Sequence, residues 1–148
     1  MQIITHSEEE TYAFAAQISK LLKCGAIVLL NGAMGAGKSV FARGVIQSLG
    51  YNQPVTSPTF TLMNEYNTIP EVCHFDLYRL DSPEQLYDIG YDEYIYSDNI
   101  SLIEWSEKME YLLPEDYIEI QIEKLDPQTR KITVIADKKG IMADFEDR

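Results

Sequence analysis

Cysteine is scarce: Cys24 and Cys73 are the only two in 148 residues, and they stand far apart. That excludes a disulfide scaffold and a paired-thiol motif, and it predicts a reducing, cytoplasmic setting. Positive charge is scarce as well, with 12 Lys and Arg against 24 Asp and Glu, a net charge of −12. Nucleic-acid affinity comes mostly from Lys and Arg displacing counterions from phosphates, so a broad RNA- or DNA-binding surface is excluded. Any RNA this chain serves is expected to be held mainly by a partner protein. No apolar run approaches the roughly 18 to 20 residues that a membrane span requires. The start, Met1 to His6 followed by Ser7-Glu8-Glu9-Glu10, has neither a basic region nor an apolar stretch, so no secretory signal is expected.

What the chain does contain is Gly32-Ala33-Met34-Gly35-Ala36-Gly37-Lys38-Ser39, a match at every specified position of the phosphate-loop pattern G-x-x-x-x-G-K-[ST]. Ala26 to Leu30 upstream is a short apolar run suited to a buried strand, and Lys38 to Leu49 downstream reads as a helix. An accidental glycine-rich turn would have no reason to carry both flanks. Glycines let the loop wrap so that several backbone N–H groups point at one phosphate chain, and the helix adds the positive end of its dipole. Lys38 is expected to reach the β- and γ-phosphates of ATP, Ser39 to ligate Mg²⁺, and Val40 in the first helical turn to lie beside the nucleotide. The acidic field of the chain disfavours a free triphosphate, so the loop and the metal must overcome it locally.

The rest of the chain reads as one α/β domain over residues 1–140, with 141–148 a flexible acidic tail. Ser7 and Glu10 form a capping box that opens a helix carrying Phe14, Ile18, Leu21 and Leu22 at helical spacing, stopped by Gly25. Gly50 stops the loop helix, and the proline-rich stretch from Pro54 to Thr59 is irregular. Phe60 to Tyr66 and Val72 to Tyr78 read as strands joined by a turn at Asn67 to Pro70. Ser82-Pro83-Glu84-Gln85 opens a short helix closed by Gly90. Ile100 to Ile103 is a buried strand ending at Glu104, and Ser106 to Leu113 is a helix stopped before Pro114. Alternation at Ile118, Ile120 and Ile122, and again at Ile132, Val134 and Ala136, makes an antiparallel hairpin around Asp126 to Thr129. The expected architecture is a P-loop NTPase fold, a central mixed sheet whose parallel strands are flanked by antiparallel strands and helices.

Hydrolysis needs carboxylates beside the phosphates, and Asp76 and Glu104 each end an apolar strand, where open α/β sheets place their ligands. Thr59 follows the loop helix, in the place of a nucleotide-dependent switch, although a plain turn would look the same. His74, next to Cys73 and Asp76, lacks a fourth ligand for zinc and reads as a hydrogen-bonded structural residue. Trp105 reads as a core residue and Arg43 as a surface ion-pair partner. Arg79 is the arginine open to stabilising transition-state charge. Glu123-Lys124-Leu125-Asp126 approaches the guanine-reading N-K-x-D pattern, but Glu replaces the needed Asn and the stretch reads as the hairpin turn.

Four segments in this order, GAMGAGKS (32–39), VTSPTFTLMNEY (55–66), HFDLYRL (74–80) and LIEW (102–105), closely resemble one family. It is the small bacterial ATPase family of tRNA threonylcarbamoyladenosine biosynthesis, TsaE or YjeE. The loop is shared with a large superfamily; S-P-T-F, then H-x-D-L-Y-R, then E-W carry the specificity. The resemblance implies an Mg²⁺-dependent ATPase acting with the TsaD- and TsaB-type subunits of the threonylcarbamoyl-transferase complex, with tRNA contacted mainly through them. It assigns Lys38 and Ser39 to phosphates and metal, Thr59 to the switch, Asp76 and Glu104 to metal and water, and Trp105 to the rim of the site. Ser39 stands where Thr is commoner, and Met34 where Leu is frequent; neither change removes a needed group. The alternatives are an assembly module gated by ATP binding rather than hydrolysis, and a small-molecule kinase, which the missing arginine-rich lid disfavours.

Overall fold

The computed structural model describes residues 1–58 and 60–143. Seven strands form one sheet: β1 (Gln2–Thr5), β2 (Ile27–Asn31), β3 (Met63–Tyr66), β4 (Val72–Asp76), β5 (Ile100–Glu104), β6 (Ile118–Lys124) and β7 (Arg130–Asp137). Their spatial order is β1-β7-β6-β2-β5-β4-β3. The central four, β6, β2, β5 and β4, run parallel, while β3 on one edge and β7 and β1 on the other are antiparallel to their neighbours. This is the P-loop NTPase arrangement expected from the sequence.

Period-two alternation splits the parallel strands between two cores. Val28, Leu30, Ile100, Leu102, Ile118 and Ile120 face α1 (Glu8–Ser19) and α2 (Lys38–Ser48). Ile27, Leu29, Phe75 and Ile103 face the other way, onto α3 (Gln85–Asp88), α4 (Tyr91–Ile95) and a 3-10 helix at Ser106–Leu112. Each of these side chains, fully buried, contributes about 1.5–3 kcal/mol. The helices on the first face approach closely: a Cβ at Gly44 of α2 would lie 2.7 Å from the Ala15 Cβ of α1.

Local chemistry explains the helix starts. Ser7 caps α1, its Oγ accepting from the Glu10 N–H at 3.1 Å, and Glu8, Glu9 and Glu10 place negative charge on the positive end of the dipole. The Glu10 carboxylate reaches one residue beyond the cap, accepting from the His6 N–H at 2.6 Å.

Several boundaries differ from expectation. β3 begins at Met63, not Phe60, because residues 60–62 turn: the Leu62 N–H bonds the Pro58 carbonyl at 2.8 Å and Leu62 has φ 67. β4 ends at Asp76. The helix expected from Pro83 begins at Gln85 and is over by Gly90, as expected; Gly90, left-handed at φ 67, also opens α4, which the sequence reading did not anticipate. Residues 106–112 form a 3-10 rather than an α-helix, broken at Glu110 with φ 49 and ψ −120. β1 was not anticipated; its four residues are too few to show a period, and pairing with β7 defines it. Packing extends past residue 140: Met142 is buried, and the Ile141 and Met142 N–H groups bond the Asp137 carboxylate at 3.0 and 2.8 Å. Residues 144–148 of the expected tail lie outside the described residues. Among the described residues no helix is long and apolar enough to cross a membrane.

Candidate nucleotide-binding site

β2 delivers the chain to the C-terminal edge of the parallel strands, and residues 32–37 turn it back into α2. Gly32 packs so tightly on β6 that a Cβ there would lie 2.6 Å from the Ile122 carbonyl oxygen. Gly37 is the N-cap residue of α2 with φ 111, a conformation an L side chain strains to adopt. α2 differs from α1 in that no side chain caps it and its first turn carries no acid. Its leading N–H groups and dipole end are therefore suited to an anion brought by a ligand. Ala36 serves the loop from beneath: its side chain is buried, and its N–H closes on the Ala33 carbonyl at 3.0 Å. Met34 at the tip is 69% exposed.

Strand parity brings the acidic groups to the same side. Asp76 and Glu104 are register partners at the last pair of β4 and β5. Both share strand parity with Val72, Ile100 and Leu102, which belong to the core facing α2. Each is buried, at 7% and 4% exposure, so neither is a solvated turn acid. The Asp76 Oδ1 accepts from the Tyr78 N–H at 3.1 Å. The Glu104 Oε2 lies 2.7 Å from His74 Nε2. His74 is thus the hydrogen-bonded residue expected.

Lys38 is 6% exposed, and its ammonium sits over the Trp105 ring, 4.0 Å from the centroid. Burial lowers its pKa, opposed by the negative charges of Glu104, Asp76 and Glu107. Trp105 is half-buried rather than a core residue, left-handed at φ 60, and packs against Tyr78 with ring centroids 5.0 Å apart. Arg43 forms no ion pair among the described residues; its guanidinium lies 5.9 Å from the Tyr12 ring centre and its Nε is buried without a hydrogen-bond partner.

Lys38, Ser39, Asp76, Glu104 and Trp105 line one cavity of about 580 Å³, together with Met34, Gly35, Gly37 and Val40. Gly32 lines a different one, and Ala33 and Ala36 do not face it. Thr59, the expected switch residue, lies outside the described residues. Ser57 and Arg79 also line the cavity, and the Arg79 guanidinium lies 4.5 Å from the ring centre of exposed Phe60. The sequence reading missed Arg130. Its Nη1 donates to the carbonyls of Asp126 at 2.9 Å and Thr129 at 3.1 Å, and its Nε would lie 3.3 Å from a Cβ at Gly37. Only the parallel pairing of β6 with β2 carries the hairpin to the loop, so nothing local to D-P-Q-T-R signals it. An adjoining cavity of about 300 Å³ continues from Gly37 and Val40 to Ser7, Thr11, Gln128 and Arg130.

A hydroxyl and two buried carboxylates beside a phosphate loop fit Mg²⁺, which takes few protein ligands and shares phosphate and water oxygens.

Comparison with known proteins identifies the family of the chain. The family model described as "Threonylcarbamoyl adenosine biosynthesis protein TsaE" matches residues 5–132. The tRNA threonylcarbamoyladenosine biosynthesis protein TsaE of Rickettsia felis is 42% identical over 97% of this chain and 85% of its own length. The protein of the same name from Bacillus subtilis is 36% identical over 89% of this chain and 83% of its own. The crystal structure of Bacillus subtilis YdiB superposes with a TM-score of 0.83, covering 99% of this chain and 94% of that one at 28% identity. The chain belongs to the TsaE family.

Proposed function

We propose that the chain is a cytoplasmic Mg²⁺-dependent ATPase that serves formation of N6-threonylcarbamoyladenosine at position 37 of tRNA, acting with a TsaD- and TsaB-type threonylcarbamoyl-transferase complex. One observation carries the chemistry: the uncapped, acid-free start of α2 with Lys38 and Ser39 shares a cavity with Asp76 and Glu104, paired across β4 and β5. The pathway is supported by the names of the relatives. The net charge of −12 fits a subunit that leaves the tRNA to its partners.

Loop N–H groups and the α2 terminus hold the phosphate chain, and Lys38 moves from Trp105 to the β/γ oxygens. The base and ribose occupy the adjoining cavity by Ser7, Gln128 and Arg130. Ser39, Asp76 and Glu104 would hold Mg²⁺, which when bound neutralises charge between the β- and γ-phosphates. Asp76 or Glu104 orients a water whose oxygen bonds to the γ-phosphorus as the bond to the bridging oxygen breaks. ADP leaves with that electron pair, and the water proton passes to the carboxylate and then to solvent. Arg79 lies on the cavity wall, placed to offset transition-state charge, while Arg130 reaches the cavity from the hairpin beside the bound nucleotide.

Titration calorimetry with ATP and phosphate-release assays test the proposal. Expected are Mg²⁺-dependent binding and turnover, both lost in Lys38→Ala. No heat with adenine nucleotides, together with tRNA modification left intact by Lys38→Glu, would overturn it. Repeated rounds of modification with a non-hydrolysable analogue would instead favour gating by binding alone.

A further inference from the structure

We infer that His74 is a positioning residue for the Glu104 carboxylate, acting on the site from behind rather than touching nucleotide or metal. His74 is 2% exposed at the centre of β4 and its Nε2 meets the Glu104 Oε2 at 2.7 Å. A carboxylate accepts, so Nε2 carries the proton, and one Glu104 oxygen is fixed while the other is left for the cavity. The strands enforce this geometry: Glu104 is the register partner of Asp76, and His74 is two residues before Asp76 on the same side of β4.

The rest of the ring argues against a packing role. His74 Nδ1 is buried and has no hydrogen-bond partner, a state that buried polar atoms rarely occupy. A residue kept for volume alone would be apolar here, as Val72 on the same face of β4 and the register partner Leu102 are. His74 also lines a cavity of about 210 Å³ that contains Ser39, Thr56 and Ser57, the last two in the segment leading to Thr59. One imidazole therefore adjoins both the catalytic carboxylate and the segment expected to respond to nucleotide.

The inference rests on the proposed ATPase chemistry, so its test begins with wild-type protein: failure to bind or hydrolyse ATP would remove the function, not only the role of His74. Without nucleotide or metal, ¹⁵N imidazole NMR reads the tautomer, and only His6 and His74 contribute signals. Nε2 of His74 is expected to be protonated; an unprotonated Nε2 overturns the inference. His74→Gln keeps an amide donor near the Nε2 position and His74→Leu removes it. His74→Leu is expected to lower kcat at least tenfold and raise the half-saturating Mg²⁺ concentration, leaving the KM for ATP within twofold, and His74→Gln to recover most of the loss. Equal loss in both variants, tracking a shared fall in melting temperature, would assign His74 to packing and overturn the inference, as would unchanged kcat and Mg²⁺ requirement in folded His74→Leu. The Mg²⁺-dependent gain in affinity for a non-hydrolysable ATP analogue closes the cycle. His74→Leu should reduce that gain in wild type and add nothing in a Glu104→Gln background; additive losses would mean His74 does not act through Glu104.

Discussion

At the residue scale the site holds a buried lysine among acids, and its stability and its function pull in opposite directions. Lys38 is buried, and desolvation outweighs the favourable pull of Glu104, Asp76 and Glu107, so its pKa is lowered. Between that folded pKa and the ordinary lysine value the unfolded chain binds more protons, so wild-type stability rises with pH across that window. Below the window the folded protein carries the full cost of the buried charge. Lys38→Met keeps the stem and removes the charge, so the ligand-free variant should melt higher than wild type at neutral pH, with the gap closing as pH rises into the alkaline window. Turnover should fall by about a hundredfold or more. Thermal melts from neutral to alkaline pH, paired with phosphate release, check both halves; a variant that melts lower at neutral pH would show the cation stabilising the empty fold. Glu104→Gln keeps size and an acceptor oxygen for His74 but loses the charge. It should lower kcat by about a hundredfold while nucleotide still binds. Asp76→Asn separates the two carboxylates: both hold the metal, so either variant raises the Mg²⁺ requirement, and the water-orienting one shows the larger fall in kcat at saturating Mg²⁺. Lys38, Ser39, Asp76 and Glu104 were legible because each sits at a fixed offset from a strand end or a glycine. Arg130 was not, since its neighbour Gly37 is far away in sequence and only sheet pairing joins them.

At the element scale the decisive contacts are those that fix α2 and the β6–β7 hairpin against the loop. Gly44 lets α1 and α2 touch: a side chain there would meet Ala15 Cβ at 2.7 Å and the Tyr12 backbone at 3.4 Å. Gly44→Val should therefore cost about 1–3 kcal/mol of overpacking strain, a melting temperature lower by about 3–10 °C for a chain of this size. Scanning calorimetry reads this directly, and an unshifted melt would mean the helices can separate without loss. In the hairpin, Asp126 Oδ1 accepts from the Gln128 and Thr129 N–H groups, each at 2.9 Å, and these donors hold its carboxyl below the usual range. The turn presents the Asp126 carbonyl to Arg130. Asp126→Ala should free that arginine and raise the KM for ATP about fivefold, the equivalent of roughly 1 kcal/mol of lost preorganisation, with kcat little changed. Steady-state kinetics decide it; a fall in kcat at constant KM would move Arg130 from ground-state binding to the transition state. Strand and helix identities were legible where periodicity was long, as at Ile118 to Ile122. The turn at 60–62 and the 3-10 segment at 106–112 were not, because Leu62, Trp105 and Glu110 take positive φ without the glycine that usually announces it.

For the whole molecule, every group assigned to the ligand is drawn to one edge of the sheet, so occupancy there should be felt by the entire fold. β2 reaches the loop, β4 and β5 supply the carboxylates, the β6–β7 hairpin supplies Arg130, and α1 begins at Ser7 beside the second cavity. A ligand that binds these elements together binds the folded chain alone, since no unfolded chain assembles them. At about 100 times its dissociation constant such a ligand stabilises the fold by about 2.7 kcal/mol. For a chain of this length that is a melting shift of roughly 5–10 °C. Mg²⁺-ATP should produce it in wild type, ATP with a chelator should produce less, and Lys38→Met should show almost none despite its higher starting point. Lys38→Met thus separates stability from binding within one experiment: its melt begins above that of wild type and ends below it once nucleotide is added. An equal shift in both proteins would place the nucleotide somewhere other than the loop between β2 and α2.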